Sequence, residues 1–173
     1  MNIGNKTIAF NLYGKIDDKL KPIREATDVQ LPALEAVSDS VKGAGILGEI
    51  DWPSMAQPGS MTFVANFRTT GPDVIAISAP TQQEFEVRWV IDKFDSNNIK
   101  IGIESHKAFI KGVPKKHDSG KIEPAAAMEG SNEYEVFYYR RIVDGKEVLL
   151  IDKFNYVYKV NGVDYTSQIM AAL

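Results

Sequence analysis

Asp144-Gly145 stands between two strand-like runs, Tyr134 to Val143 and Lys146 to Asp152. A two-residue turn joining antiparallel strands needs positive φ at its central positions, and Asp-Gly supplies it at small steric cost. The C-terminal third is thereby committed to a tight hairpin. Beyond it, Phe154, Tyr156 and Tyr158 alternate with Asn155, Val157 and Lys159, the period-two pattern of a half-buried strand. A second glycine turn, Asn161-Gly162, ends that run. Spacing alone gives the edge of an antiparallel sheet.

The rest of the chain agrees with this. Thr7 to Tyr13 alternates, Gly14 to Lys19 is turn-like, and Ile23 to Leu31 returns as a strand. Leu34, Val37 and Val41 have helical spacing, with Pro32 tolerable in a first turn. From Gly43 to Ser60 periodicity gives way to glycine and proline, which reads as a long loop. Its Ile46, Leu47, Ile50, Trp52 and Met55 are too apolar for disorder, and a loop of this length needs a use.

Thr62 to Thr69 places Phe63, Ala65 and Phe67 on one face. Pro72 to Ala79 reads as a short helix, with Thr70 as cap and Asp73 in the first turn. Glu84 to Phe94 is the clearest strand: Phe85, Val87, Trp89 and Ile91 face one way, Glu84, Glu86, Arg88 and Asp92 the other. Asp95 to Asn98 should turn, and Ile99, Ile101 and Ile103 should continue the inward set. Residues 112–130 read as a second long connection. Strand follows strand, so the fold class is mainly β. About seven or eight strands form an antiparallel barrel or sandwich with one or two short helices. Its 173 residues suit a single domain spanning 1–173.

Composition narrows the chemistry. A net charge of −3 argues against gripping a phosphate backbone, without excluding a protein that DNA merely passes. The absence of cysteine removes disulfides, thiolate metal sites and cysteine nucleophiles. Neither a signal peptide nor a membrane-length apolar run is visible, so a cytoplasmic origin without a membrane anchor is expected.

Gly43-Ala44-Gly45-Ile46-Leu47-Gly48 spells G-x-G-x-x-G. No buried strand precedes it, and Glu49, Asp51 and Pro53 follow where a phosphate-binding helix should begin, so it reads as loop. His106 and His117 match no zinc spacing and read as solvated side chains. Glu84 with Glu86 share a strand face as glycosidase acids do, but a solvated face is the simpler account. Tyr134, Tyr138, Tyr139, Tyr156 and Tyr158 make an aromatic set suited to packing or subunit contact. A carbohydrate-binding β-sandwich using these rings is the alternative of another class. No catalytic set, metal site or cofactor is indicated.

The runs VDGKEVLLID and KVNGVDY resemble the C-terminal signature of the major tail tube proteins of contractile-tailed bacteriophages. That signature combines a D-G-K-E hairpin, an I-D step and a K-V-N-G-V-D turn. Weaker likeness extends to Leu31-Pro32, Gly43-Ala44-Gly45 and a short mid-chain helix. The resemblance implies a structural, non-enzymatic subunit forming hexameric rings that stack into a hollow tube. The tube would lie inside a contractile sheath and conduct the genome. A phage-tail-like bacteriocin or secretion-type injection machine is the alternative of the same class. Implied partners are further copies of the chain and the sheath, tape-measure and baseplate proteins, with DNA passing unbound. The implied location is the virion, after assembly in the host cytoplasm. On this reading, Gly43, Gly45, Ile46, Leu47, Gly48, Ile50, Trp52 and Met55 form a ring-stacking loop, and Glu84, Glu86, Arg88 and Asp92 a candidate lumen face. Thr166 to Leu173 departs from the family in being short and uncharged.

Overall fold

A computed structural model of the chain describes residues 2–97 and 100–173. These form twelve strands and two short helices: β1 (Asn2–Ile16), β2 (Lys19–Pro22), β3 (Ala26–Gln30), β4 (Ala36–Lys42), β5 (Glu49–Pro58), β6 (Thr62–Phe67), α1 (Pro72–Ala76), β7 (Gln83–Asp95), β8 (Ile101–Asp118), β9 (Gly130–Val143), β10 (Lys146–Asp152), β11 (Val157–Val160), β12 (Val163–Asp164) and α2 (Ser167–Ala171). The last part of the Asp95–Asn98 turn and the strand start at Ile99 lie outside the described residues.

All pairing is antiparallel, and β9 is the hub of the larger sheet. One edge of β9 is taken by β8; the other is shared, β6 pairing with its first half and β10 with its second. The sheet therefore forks. One arm runs β10–β11–β12, and the other, β6–β3, curls over the interior towards β7 and β1. Phe63 on β6 reaches Phe85 on β7 with ring centroids 5.3 Å apart, and Tyr134 on β9 closes the triangle at 4.6 Å from Phe85. The curl stops short of a closed barrel: among the described residues β3 pairs only with β6. An apolar slot of about 250 Å³ separates Val29 and Leu31 from Phe10 and Trp89.

The local causes are those of period-two chemistry. Phe63, Ala65 and Phe67 are buried while Thr62, Val64 and Asn66 are not, so β6 must lay one face on the core. Three turns carry consecutive positive φ angles, at Asp144-Gly145 (46°, 79°), Asn161-Gly162 (50°, 82°) and Asp17-Asp18 (51°, 57°). That is the geometry that matches the right-handed twist of the flanking strands. Helix α1 carries Pro72 in its first turn and buries Val74. Its last carbonyls are satisfied from β9: Tyr134 Oη donates to Ile77 O at 2.7 Å and Asn132 Nδ2 to Val74 O at 3.4 Å. The helix stops at Ala76, before Ala79, and its N-cap is Gly71; Thr70 Oγ1 donates to Ser119 O instead.

Several expectations are corrected. Leu34 to Val41 is not helical: β4 occupies Ala36–Lys42 and pairs with β5. Serine, aspartate and valine are weak helix formers, and here cross-strand pairing decides. The long loop over 43–60 is therefore a tip at 43–48 followed by β5. The second connection is shortened to 119–129, because β8 continues to Asp118. Ile101 and Ile103 point outward, 81% and 66% exposed, since Ala108 and Ile110 fix the buried phase of β8 on even positions. Phe154 and Tyr156 lie in a turn that Asp152 organises by accepting from Asn155 N and Nδ2, so β11 begins only at Val157.

Candidate assembly surfaces

The β4–β5 hairpin stands apart from the main sheet, and every residue of β4 is exposed. Its register places Asp39 opposite Trp52 and Val41 opposite Ile50, so Val37, Val41, Ile50 and Trp52 share one face. Ser38, Ser40, Lys42, Glu49 and Asp51 share the other, where Ser40 hydroxyl donates to the Glu49 carboxylate. The hairpin is amphipathic, with its apolar side in solvent; Trp52 alone is 62% exposed. At the tip, Gly43, Gly45 and Gly48 have φ of 147°, 87° and 80°, and a Cβ on any of them would meet nothing within 4 Å. Backbone conformation alone is what glycine supplies there. Leu47 projects fully from the tip, while Ile46 is partly covered.

The base is fastened. Gly59 N donates to Glu35 O at 2.7 Å, Lys153 Nζ to Gly59 O at 2.6 Å, and Gln57 Nε2 to Tyr156 Oη at 2.9 Å. A bulge between Pro53 and Pro58, with Ala56 at φ 52°, bends β5 where it joins this anchor. Beside it a groove of about 360 Å³ runs between Leu34 and Met55 on one side and Tyr158, Val160 and Tyr165 on the other. The residues expected from the sequence to form a ring-stacking loop thus divide: Ile50 and Trp52 lie on the apolar face, Gly43 to Gly48 form the tip, and Met55 lines the basal groove. Val37 and Val41 complete the apolar face and were hidden by their helical spacing. The signal that finds them is the alternation of Ile50 and Trp52 with Glu49 and Asp51 across a glycine turn, which demands a partner strand.

Glu84, Glu86, Arg88 and Asp92 do share the outward face of β7, but their surroundings differ. Glu84 lies 3.4 Å from Lys15 and 3.9 Å from Lys111. Glu86 is buried and bonded to Arg88 at 2.6 Å, which raises the guanidinium above its usual value; Arg88 also stacks 4.6 Å over Tyr13. Asp92 accepts Lys6 N at 2.8 Å and Asn5 Nδ2 at 3.3 Å, pinning β1 where two register shifts follow in succession. On the same face Arg140 pairs with Glu147 at 2.6 Å and lies over Phe109. Strand β7 alone is net acidic; cations from β1, β8 and β9 offset it.

The tyrosines do not form one platform. Tyr134 and Tyr139 are buried in the core, Tyr138 lies under Lys111 on the outward face, and Tyr158 meets Tyr165 edge-on. His106 is buried against Trp89 rather than solvated, and His117 bridges Asn132 and Ser119. Among the described residues no cluster of metal-ligating side chains is found, and no helix is long and apolar enough to cross a membrane.

The family model described as phage tail tube protein FII matches residues 6–173. A tail tube protein of Escherichia phage P2 is 26% identical over 157 residues, covering 83% of this chain and 83% of that protein. A chain of the anti-feeding prophage baseplate, solved by cryo-electron microscopy with six-fold symmetrisation, is similar at TM-score 0.41 and 11% identity. That likeness covers 81% of this chain and 97% of the other.

Proposed function

We propose, for a chain that belongs to the phage tail tube protein FII family, that its copies close into six-membered rings joined from ring to ring by the β4–β5 hairpin. The protein is a structural subunit of a phage tail tube, a component of the virion. The finer reading is that the whole chain acts as one tube-forming domain, assembled in the host cytoplasm. The tube would lie within a sheath, around a tape-measure protein and on a baseplate, with DNA crossing the bore unbound. The outward face of β7 is assigned to that bore.

One observation carries the hairpin's role: an amphipathic two-stranded arm, anchored at its base, holds Val37, Val41, Ile50 and Trp52 in water. An isolated two-stranded hairpin is marginal by itself, and covering each such side chain is worth about 1.5–3 kcal/mol. A second copy supplies the cover, within interfaces on the order of 2,000 Å². The test is the combined variant Val41→Ser, Ile50→Ser, Trp52→Ser, viewed by negative-stain microscopy at high concentration. The parent should form hollow tubes. The variant should stay folded, with circular dichroism unchanged, and give rings or monomers. Tubes from the variant as abundant as from the parent would remove the hairpin from the ring-to-ring contact.

A further inference from the structure

Along β9 the inward row of Asn132, Tyr134, Val136 and Tyr139 is followed by the half-buried Arg141, opposite Ala108. Among the described residues no carboxylate forms an ion pair with Arg141. Its Nη2 donates to His106 Nδ1 at 3.2 Å, its guanidinium lies 5.1 Å from the Trp89 ring centre, and its Nε–H is buried without a partner. His106, 8% exposed, stacks on Trp89 with centroids 5.0 Å apart and planes 15° from parallel. Its Nε2 reaches Glu104 Oε1 at 2.8 Å.

Arginine can only donate, so His106 Nδ1 accepts and the ring's one proton sits on Nε2, facing Glu104. From Glu104 the chain of charges continues to Lys93 at 3.1 Å, and from Lys93 to Asp144 in the β9–β10 turn at 3.9 Å. The Lys93 hydrogen bond holds the Glu104 carboxyl below the usual carboxylate range, and the Ser105 backbone N–H does the same for Asp144. Both acids therefore stay charged wherever imidazoles change state. Of the other groups facing the stack, the Tyr139 phenol is pushed up by burial and stays neutral. Asp28 of β3 lines the slot beside Trp89, and β1 offers only Thr7 and Phe10 there.

We propose that His106 is a proton-operated latch between the interior of the curled sheet and the outer part of β8. Neutral, it accepts from Arg141 and donates to Glu104, tying β9 to β8 through side chains. Protonated, it carries donors on both nitrogens and has no lone pair for Arg141. Two cations then face each other across the former bond, while the Glu104 contact becomes charge-assisted and keeps His106 on its own strand. Arg141, already short of a partner at Nε, then has the Trp89 ring and the neighbouring Tyr139 phenol beside it, and it swings from the interior towards solvent. The latch belongs to the subunit and does not depend on the tube.

Trp89 reports the change, because an imidazolium stacked on an indole quenches its emission far more than a neutral imidazole does. In a Trp52→Phe background, where Trp89 is the remaining indole, emission should fall in one single-proton step on acidification. It should stay flat when His106→Gln is added. Nitrogen-resolved NMR of the unsubstituted chain at alkaline pH should show His106 as the Nε2–H tautomer, a measurement that does not require any variant to fold. The Arg141 guanidinium N–H signals should broaden or exchange faster through the same acid step. A Trp89 emission indifferent to pH, an equal fall in the His106→Gln protein, or an Nδ1–H tautomer would each overturn the latch.

Discussion

Tyr134 joins three elements of the interior, β6, β7 and the end of α1, to β9. Its ring packs on Phe63 and Phe85, and its hydroxyl donates to Ile77 O while accepting from Asn132 Nδ2 at 3.0 Å. Removing that oxygen strands a buried carbonyl at the end of α1 and one amide hydrogen of a fully buried asparagine. Such orphaned groups cost roughly 1–3 kcal/mol. Tyr134→Phe should therefore lower the unfolding free energy from urea titration by about that amount, seen as a lower midpoint at unchanged slope, while leaving the ring packing in place. The phenol also sets a pH dependence. Burial pushes Tyr134 well above the ordinary tyrosine range, whereas the unfolded chain ionises near ~10. Above that pH the unfolded state has released a proton that the folded state keeps, so stability falls as pH rises; below it this contribution is flat. The alkaline loss of stability, followed by urea titration at rising pH, should be shallower in Tyr134→Phe than in the parent. Equal slopes would mean that the hydroxyl is wet.

At the scale of elements, the hairpins with Asp-Gly and Asn-Gly turns were legible because a two-residue positive-φ turn has few sequence solutions. Strands β6 and β7 were legible because burial on one side forces strict alternation. The β4–β5 arm was not, since neither of its faces is covered within the subunit and no burial contrast disciplines its first strand. Val37 and Val41 then fit helix and strand spacing equally well. The same absence explains Ile101 and Ile103: apolar identity argued for the core, but register with Ala108 and Ile110 is rigid and the interior position beside them belongs to His106. The hairpin's independence is itself testable. Replacing residues 37–53 with a short glycine–serine link would spare the anchor formed by Glu35, Gln57 and Gly59. The melting transition should stay within a few degrees of the parent, because none of the buried core side chains lies in the removed segment. A large drop would show that the arm folds back on its own subunit.

For the whole molecule, the question is what a polyanion would meet in the bore. The chain is net −3, yet the outward face of β7 is nearly balanced, because Lys15, Lys111, Arg88 and Arg140 are each held by Glu84, Glu86 or Glu147. The partly exposed pairs made by Glu84 and Glu147 add only about 0–1 kcal/mol each to folding. Their larger effect is on DNA: a cation already paired with a carboxylate gains little by moving to a phosphate, so counterion release at these four cations gives little grip. Assembled parent tubes should accordingly retain no short duplex DNA near physiological salt. In the combined variant Glu84→Gln, Glu86→Gln, Glu147→Gln the same four cations lose their partners while the face keeps its shape. Tubes of that variant should take up short duplexes, with log affinity falling against log salt by about 0.9 for each phosphate engaged. Micrographs then locate the contact. DNA held inside the tubes would support this face as the bore, whereas DNA decorating the outside would place it on the outer wall. Uptake by the parent tubes themselves would contradict a conduit that lets its cargo slide.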